Sequence, residues 1–81
     1  MSDTINEPVE VIVSFKQNEI IPKVLIWRRK IYKIVRVHSV DISYNGSRAF
    51  YHFSVTDAIH YFRLSFNPYN LIWTLDRLYS Q

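Results

Sequence analysis

The chain has 81 residues and a mass of 9.8 kDa. That is enough for one small domain and too few for a second core, since a chain of this size buries only about 60–65% of the surface its unfolded form exposes. Hydrophobic residues make up 48%, aromatics 16% and charged residues 21%, which is too apolar for a disordered chain, and a multidomain enzyme is excluded by length. The longest uninterrupted apolar run, Val24 to Trp27, is far too short to span a bilayer. With no cysteine there is no disulfide framework, no thiolate nucleophile and no cysteine zinc site, so packing alone must hold the domain together. No basic segment followed by an apolar stretch opens the chain, so the expected location is the cytoplasm.

The net charge of +3 is unevenly distributed. Up to Glu19, four carboxylates face one lysine, a net −3; from Ile20 onward nine cations face three aspartates, a net +6. Half of the basic residues lie in one stretch, Arg28, Arg29, Lys30, Lys33 and Arg36. Such a cluster attracts phosphate or an acidic protein surface. It also serves, more plainly, to solvate the outside of an apolar sheet.

Val, Ile, Tyr, Phe and Trp fill every long segment and helix signals are nearly absent, so the elements are predicted to be strands. Residues 1–7 are expected to be a flexible acidic tail, 8–79 a single β domain, and 80–81 a frayed end. Val9, Val11, Val13 and Phe15 alternate with polar neighbours in a first strand that only Ile12 interrupts. Gln17-Asn18-Glu19 turns into a second strand from about Ile20 to Trp27, with Leu25 and Trp27 on one face. After the polar connection Arg28-Arg29-Lys30, a third strand carries Tyr32 and Ile34 inward. Alternation then slips, Val37 being the next sensible core residue, which predicts a bulge near Val35 and Arg36. The strand continues through Val40, Ile42 and Tyr44 to Asn45-Gly46, a strong hairpin signal. Arg48 to Thr56 returns with Tyr51, Phe53 and Val55 on one face and Phe50, His52 and Ser54 on the other. Ile59 to Phe66 follows a turn at Asp57-Ala58, with Tyr61, Arg63 and Ser65 outward. Asn67-Pro68-Tyr69-Asn70 turns into the last strand, Leu71 to Tyr79, with Trp73 and Leu75 inward. The prediction is an all-β fold: a six-stranded antiparallel meander forming a small, partly open barrel or strongly curved sheet, centred on Leu25, Trp27, Ile34, Phe53, Leu64, Trp73 and Leu75.

Candidate chemistry is sparse. His38, His52 and His60 all fall on strands, but no His, Cys or carboxylate pair has ligand spacing, so neither metal nor cofactor is expected. A triad of Ser39, His38 and Asp41 is rejected because adjacent strand positions point to opposite faces. A single glycine cannot build a phosphate cradle. No small-molecule substrate is predicted, and the chain is expected not to be an enzyme. The stronger constellation is cations interleaved with rings: Arg28, Arg29, Lys30, Lys33 and Arg36, with Tyr32, Tyr44, Phe50, Tyr61 and Tyr69 as possible exposed rings. Cations neutralise phosphates while rings stack on bases, at about 1–3 kcal/mol each. Arg28, Arg29, Lys30, Lys33, Arg36, Phe50 and Tyr61 are therefore the candidate nucleic-acid site, for single-stranded or duplex DNA. The alternative takes outward Ile12, Val24 and Ile26 as an apolar strand edge for a partner protein or a second copy.

The order Ile21-Pro22, Leu25-Ile26-Trp27-Arg28-Arg29, then Ile31-Tyr32-Lys33-Ile34 and Val37 resembles a small bacterial domain of unknown function. Arg48-Ala49-Phe50-Tyr51-His52-Phe53, Phe62-Arg63-Leu64 and Trp73-Thr74-Leu75-Asp76-Arg77-Leu78-Tyr79 continue the resemblance, so that it runs from about Glu7 to Tyr79. Members of that family occur as short free-standing proteins, and the domain is similar to the C-terminal segment of inactive Y-family-polymerase-like mutagenesis subunits. What the resemblance implies is an accessory of DNA repair or translesion synthesis that binds DNA or a polymerase-like partner. This chain has Arg29 and Ala58 where family members commonly carry Gly. It also has the plain Asn45-Gly46 hairpin where they carry a tryptophan-rich insertion.

Overall fold

A computed structural model describes residues 2–79. All seven elements are strands: β1 (Ser2–Lys16), β2 (Glu19–Trp27), β3 (Lys30–Lys33), β4 (Arg36–Asn45), β5 (Arg48–Thr56), β6 (Tyr61–Asn67) and β7 (Ile72–Tyr79). The fold is all-β, as the composition predicts, and among the described residues no helix is long and apolar enough to cross a membrane. The strands form one antiparallel sheet in the order β3-β2-β1-β7-β6-β5-β4.

Seven strands rather than six arise because the predicted third strand divides. Residues 30–45 run in one direction, but the first part pairs with β2 and the second with β5. The exchange takes one step: the Ile34 N–H donates to the Lys23 carbonyl at 2.9 Å and the next N–H, of Val35, to the Thr56 carbonyl at 2.8 Å. The slip expected near Val35 and Arg36 is thus a break at Ile34-Val35 with a change of partner, followed by a register shift between Val37 and Ser39. Both Ile34 and Val37 still pack against the core. Because β1 also pairs with β7, the ladder nearly returns on itself, yet it does not close: β3 and β4 remain its two edges.

The core lies on the concave face. Leu25, Phe53, Val55, Phe62, Leu64, Phe66, Trp73 and Leu75 are buried. Trp27 and Ile34, predicted at the centre, pack on its margin and stay partly exposed, one at the end of β2 and the other at the strand break. Curvature is visible in ring contacts between strands that are not neighbours. Tyr32 of β3 meets Phe62 of β6 edge to face at 5.3 Å between centroids, and His60 at 5.5 Å. These contacts seal the end of the sheet that carries the β2–β3 and β5–β6 turns. The opposite end gapes.

The expected mobile tail is not a tail. Ser2 to Thr4 pair with Arg77 to Tyr79, and the register shift between Thr4 and Glu7 contains Asn6 at φ 52°, a conformation Asn tolerates better than most residues. The expected fraying of 80–81 lies outside the described residues.

Turn chemistry matches the two-residue hairpins. In the β1–β2 turn Gln17 and Asn18 have φ of 53° and 63°, and in the β2–β3 turn Arg28 and Arg29 have φ of 51° and 65°. Positive φ at both central positions is the I′ pattern, whose twist suits a hairpin. The β4–β5 hairpin centres on Gly46-Ser47, one residue later than Asn45-Gly46, with Gly46 at φ 65° supplying the left-handed position. The Asp57-Ala58 turn is longer than predicted, so β6 begins at Tyr61. There the Asp57 carboxylate accepts the backbone N–H groups of Ile59 and His60.

An arginine in the left-handed region is strained by about 1–2 kcal/mol. Arg29→Gly is therefore expected to raise stability by about 0.5–1 kcal/mol, after the larger backbone entropy of glycine is subtracted. Urea denaturation of the two proteins measures the difference.

Candidate nucleic-acid interface

Strand alternation decides where the basic stretch points, and it divides it. Lys30 lies opposite Trp27 and Lys33 opposite Val24, so the two occupy opposite faces of the sheet. Arg29 projects from the β2–β3 turn, and Arg36 lies beyond the strand break, opposite Thr56. Arg28 is engaged within the chain. Its guanidinium donates to Glu7 Oε2 at 2.6 Å and lies over the Trp27 ring at 4.6 Å, while the indole N–H of Trp27 donates to Glu7 Oε1 at 3.1 Å. Arg28 and then Trp27, as hydrogen-bond donors, hold the Glu7 carboxyl below its ordinary value, and Glu7 in turn raises that of Arg28.

Arg36 opens a second arrangement on the convex face of β4 to β7. The register there sets Arg36, Thr56, Tyr61 and Tyr79 in one transverse row. His38 bonds the Thr56 hydroxyl at 3.1 Å and stacks on Tyr61 at 5.4 Å with planes 19° apart, and Tyr79 stands perpendicular to Tyr61 at 5.2 Å. The next row is Ser39, Ser54, Arg63 and Arg77. Arg63 donates to the buried Ser54 hydroxyl at 3.0 Å and reaches Asp41 at 3.4 Å. Ser54, Tyr61, Arg63 and Tyr79 line a depression of about 580 Å³. A cation and two phenol rings thereby line one depression.

Of the predicted site residues, the structure places Arg36 and Tyr61 in one row across β4 to β6, while Lys30 and Lys33 lie on β3, on the other side of the strand break, and Arg29 in the turn before it. Phe50 lies on the same convex face at the far end, about 20 Å along β5 from Thr56 at the rise of a strand. It contacts Tyr69 at 6.1 Å, over which Arg48 lies at 5.0 Å. Of the other rings considered, Tyr44 and Tyr69 are exposed and Tyr32 packs against the core. Sequence reasoning missed His38, Arg63, Arg77 and Tyr79 as site residues. Alternation does point Arg63 outward, but its alignment with Arg77, and that of Tyr61 with Tyr79, depends on the β6–β7 register, which shifts between Arg63 and Leu64.

Further along the convex face a chain of hydrogen bonds crosses four strands. Ser43 Oγ lies 2.7 Å from His52 Nε2, His52 Nδ1 lies 2.8 Å from Ser65 Oγ, and the Ser65 hydroxyl donates to Asp76. The three histidines stand apart, and among the described residues no group of three or more His, Cys, Asp or Glu is placed to hold a metal ion.

The concave side has its own opening where β2 and β4 diverge. Ile20, Ile21, Val37, Val40, Tyr51 and Phe53 line most of a cleft of about 450 Å³. On the free edge strand β4, Val40, Ile42 and Tyr44 are 51%, 50% and 70% exposed. The apolar patch read at Ile12, Val24 and Ile26 forms on the outer face of β1 and β2, where Ile12 pairs with Val24 and Ile26 with Ile31 of β3.

The Glu7 contacts can be tested by pH. A carboxyl held below its ordinary value stabilises the fold above its unfolded value, about 4.3, and loses that contribution as pH falls through the lower folded value. The Trp27 indole N–H resonance should therefore titrate with a midpoint below about 4.3. In Glu7→Gln that transition should be absent from the NMR titration.

Comparison with known proteins finds no family model, no curated protein and no solved structure that matches this chain.

Proposed function

We propose that this protein is a small binding module for single-stranded nucleic acid, and that the convex face of β4 to β7 is its platform. The carrying observation is the stack of His38 on Tyr61 beside Tyr79, with Arg36 in the same row and Arg63 in the next. In this reading the His38–Tyr61 stack is extended by a base, Arg36 and Arg63 meet phosphates, and Arg29, Lys30 and Lys33 supply long-range attraction from the neighbouring edge. The body of the domain is cationic, as a polyanion ligand requires. The resemblance carried by Trp27-Arg28, Tyr32 and Trp73 extends the proposal to a bacterial, cytoplasmic accessory of DNA repair or translesion synthesis.

Fluorescence anisotropy with a labelled short thymidine oligonucleotide tests the reading. Binding is expected at about 50 mM salt and should weaken steeply toward about 200 mM. Tyr61→Ala should cost about 5- to 150-fold in affinity, the equivalent of one stacked base, and Arg36→Ala should reduce the salt slope by about 0.7. No anisotropy change at low salt, or unaltered affinity in Tyr61→Ala, would overturn it.

A second reading, a protein-interaction domain, is favoured by the exposed apolar row Val40, Ile42 and Tyr44 on the unpaired edge of β4. An edge strand of this kind accepts another strand, from a polymerase-like partner or from a second copy. Self-pairing predicts a dimer in sedimentation velocity at micromolar concentration that Ile42→Lys converts to monomer. A monomeric wild type leaves only a different protein as the partner.

A further inference from the structure

The hydrogen-bond chain from Ser43 to Asp76 has a direction. An ionised carboxylate only accepts, so Ser65 must spend its single proton on Asp76. The Ser65 oxygen then meets His52 Nδ1 as an acceptor, which places the ring proton on Nδ1 and leaves Nε2 as a bare lone pair. The one group bonded to that lone pair is the Ser43 hydroxyl, at 2.7 Å. This is the polarity that general-base activation of a hydroxyl requires, with Ser65 inserted between the imidazole and its carboxylate.

The surroundings also fit an acyl substrate. Ser43, Phe50, His52, Ser65, Asn67 and Asn70 are among the residues lining a depression of about 290 Å³, with Ile72 on its wall. The side-chain oxygens of Asn67 and Asn70 accept the backbone N–H groups of Tyr69 and Ile72. Both amides are thereby oriented, and their NH2 groups remain as donors with no partner among the described residues. Phe50 and Ile72 supply an apolar wall for an acyl chain, and the amide donors supply hydrogen bonds to a developing oxyanion.

We propose that Ser43 is an acylatable nucleophile with His52 as its general base, in a site that takes short-chain acyl esters. Ser43 Oγ bonds to the ester carbonyl carbon as its proton passes to His52 Nε2. The bond from that carbon to the leaving oxygen then breaks, the oxygen takes the proton from His52, and the alcohol departs. Water, deprotonated by His52, attacks the Ser43 ester; the carboxylic acid leaves and Ser43 recovers its proton. Ser65 and Asp76 are positioning residues that hold the ring in the reactive tautomer. The site goes beyond the nucleic-acid reading and does not depend on it, and it departs from the expectation of a chain without catalysis.

The test uses the full chain, a fluorophosphonate probe and p-nitrophenyl butyrate. Intact-mass and peptide mapping should find one probe adduct, on Ser43, formed with loss of fluoride, and nitrophenol should be released catalytically. Ser43→Ala should abolish both signals, and His52→Gln should slow them by about 10²- to 10⁴-fold, the usual worth of a general base. Ser65→Ala should slow labelling, and Ser65→Thr, which keeps the hydroxyl, should restore it, with circular dichroism confirming each fold. An unlabelled wild-type Ser43, an adduct elsewhere, or a His52→Gln protein labelled at the wild-type rate would overturn the proposal, whatever the oligonucleotide titration shows.

Discussion

One strand has to serve two neighbours. Residues 30–45 hydrogen-bond first to β2 and then to β5, and the exchange is made by two successive backbone N–H groups at Ile34 and Val35. With no helix among the described residues to cover a flat sheet and no cysteine to staple it, the chain can bury its apolar side chains only by curling the sheet on itself. The partner change lets it curl without completing the ladder. Where the two pairings separate, the first part of β2, before Lys23, has no strand partner on the β3 side among the described residues, and the apolar cleft opens between it and the edge strand β4.

The same constraint separates the functions of the two faces. Inward residues of β5, β6 and β7 form the core, so their outward neighbours are left to make polar and aromatic rows on the convex side. Those rows are tied across strands rather than along them: Arg63 to Ser54 and Asp41, His38 to Thr56, and His52 to both Ser43 and Ser65. Among the described residues no buried side-chain polar atom lacks a partner, as expected where an unpaired buried polar group costs about 1–3 kcal/mol. Cross-strand ties of this kind hold rings and hydroxyls in fixed relative positions on a rigid element, a requirement shared by a stacking platform and a reactive serine.

The β2–β3 turn shows how local cost and tertiary gain coexist. Arg28 and Arg29 both adopt φ values that favour glycine or asparagine. Arg28 recovers part of that cost through Glu7, which also receives the Trp27 indole N–H, so the start of β1 is fastened to the rim of the core. An acidic N-terminal segment that composition alone makes a mobile tail is thereby part of the sheet. The acidic N-terminal stretch and the cationic turn complement each other only after folding has brought positions 7 and 28 together.

Period-two alternation, the turn residues and the lack of helix formers were enough to determine an antiparallel all-β domain, most of its core, and the outward direction of Tyr61, Arg63 and Ser65. Those are local properties, since a pleated strand sends successive side chains to opposite faces whatever lies beside it. Local rules could not reveal that the third strand changes partner, because both halves of it satisfy the same alternation. Nor could they align Tyr61 with Tyr79, or Ser43 with His52, Ser65 and Asp76, since these groups lie on different strands and meet only through register. Tertiary structure alone decided register, through where each turn closes and where each bulge falls. A shift of one residue at any of them would turn these side chains to the other face.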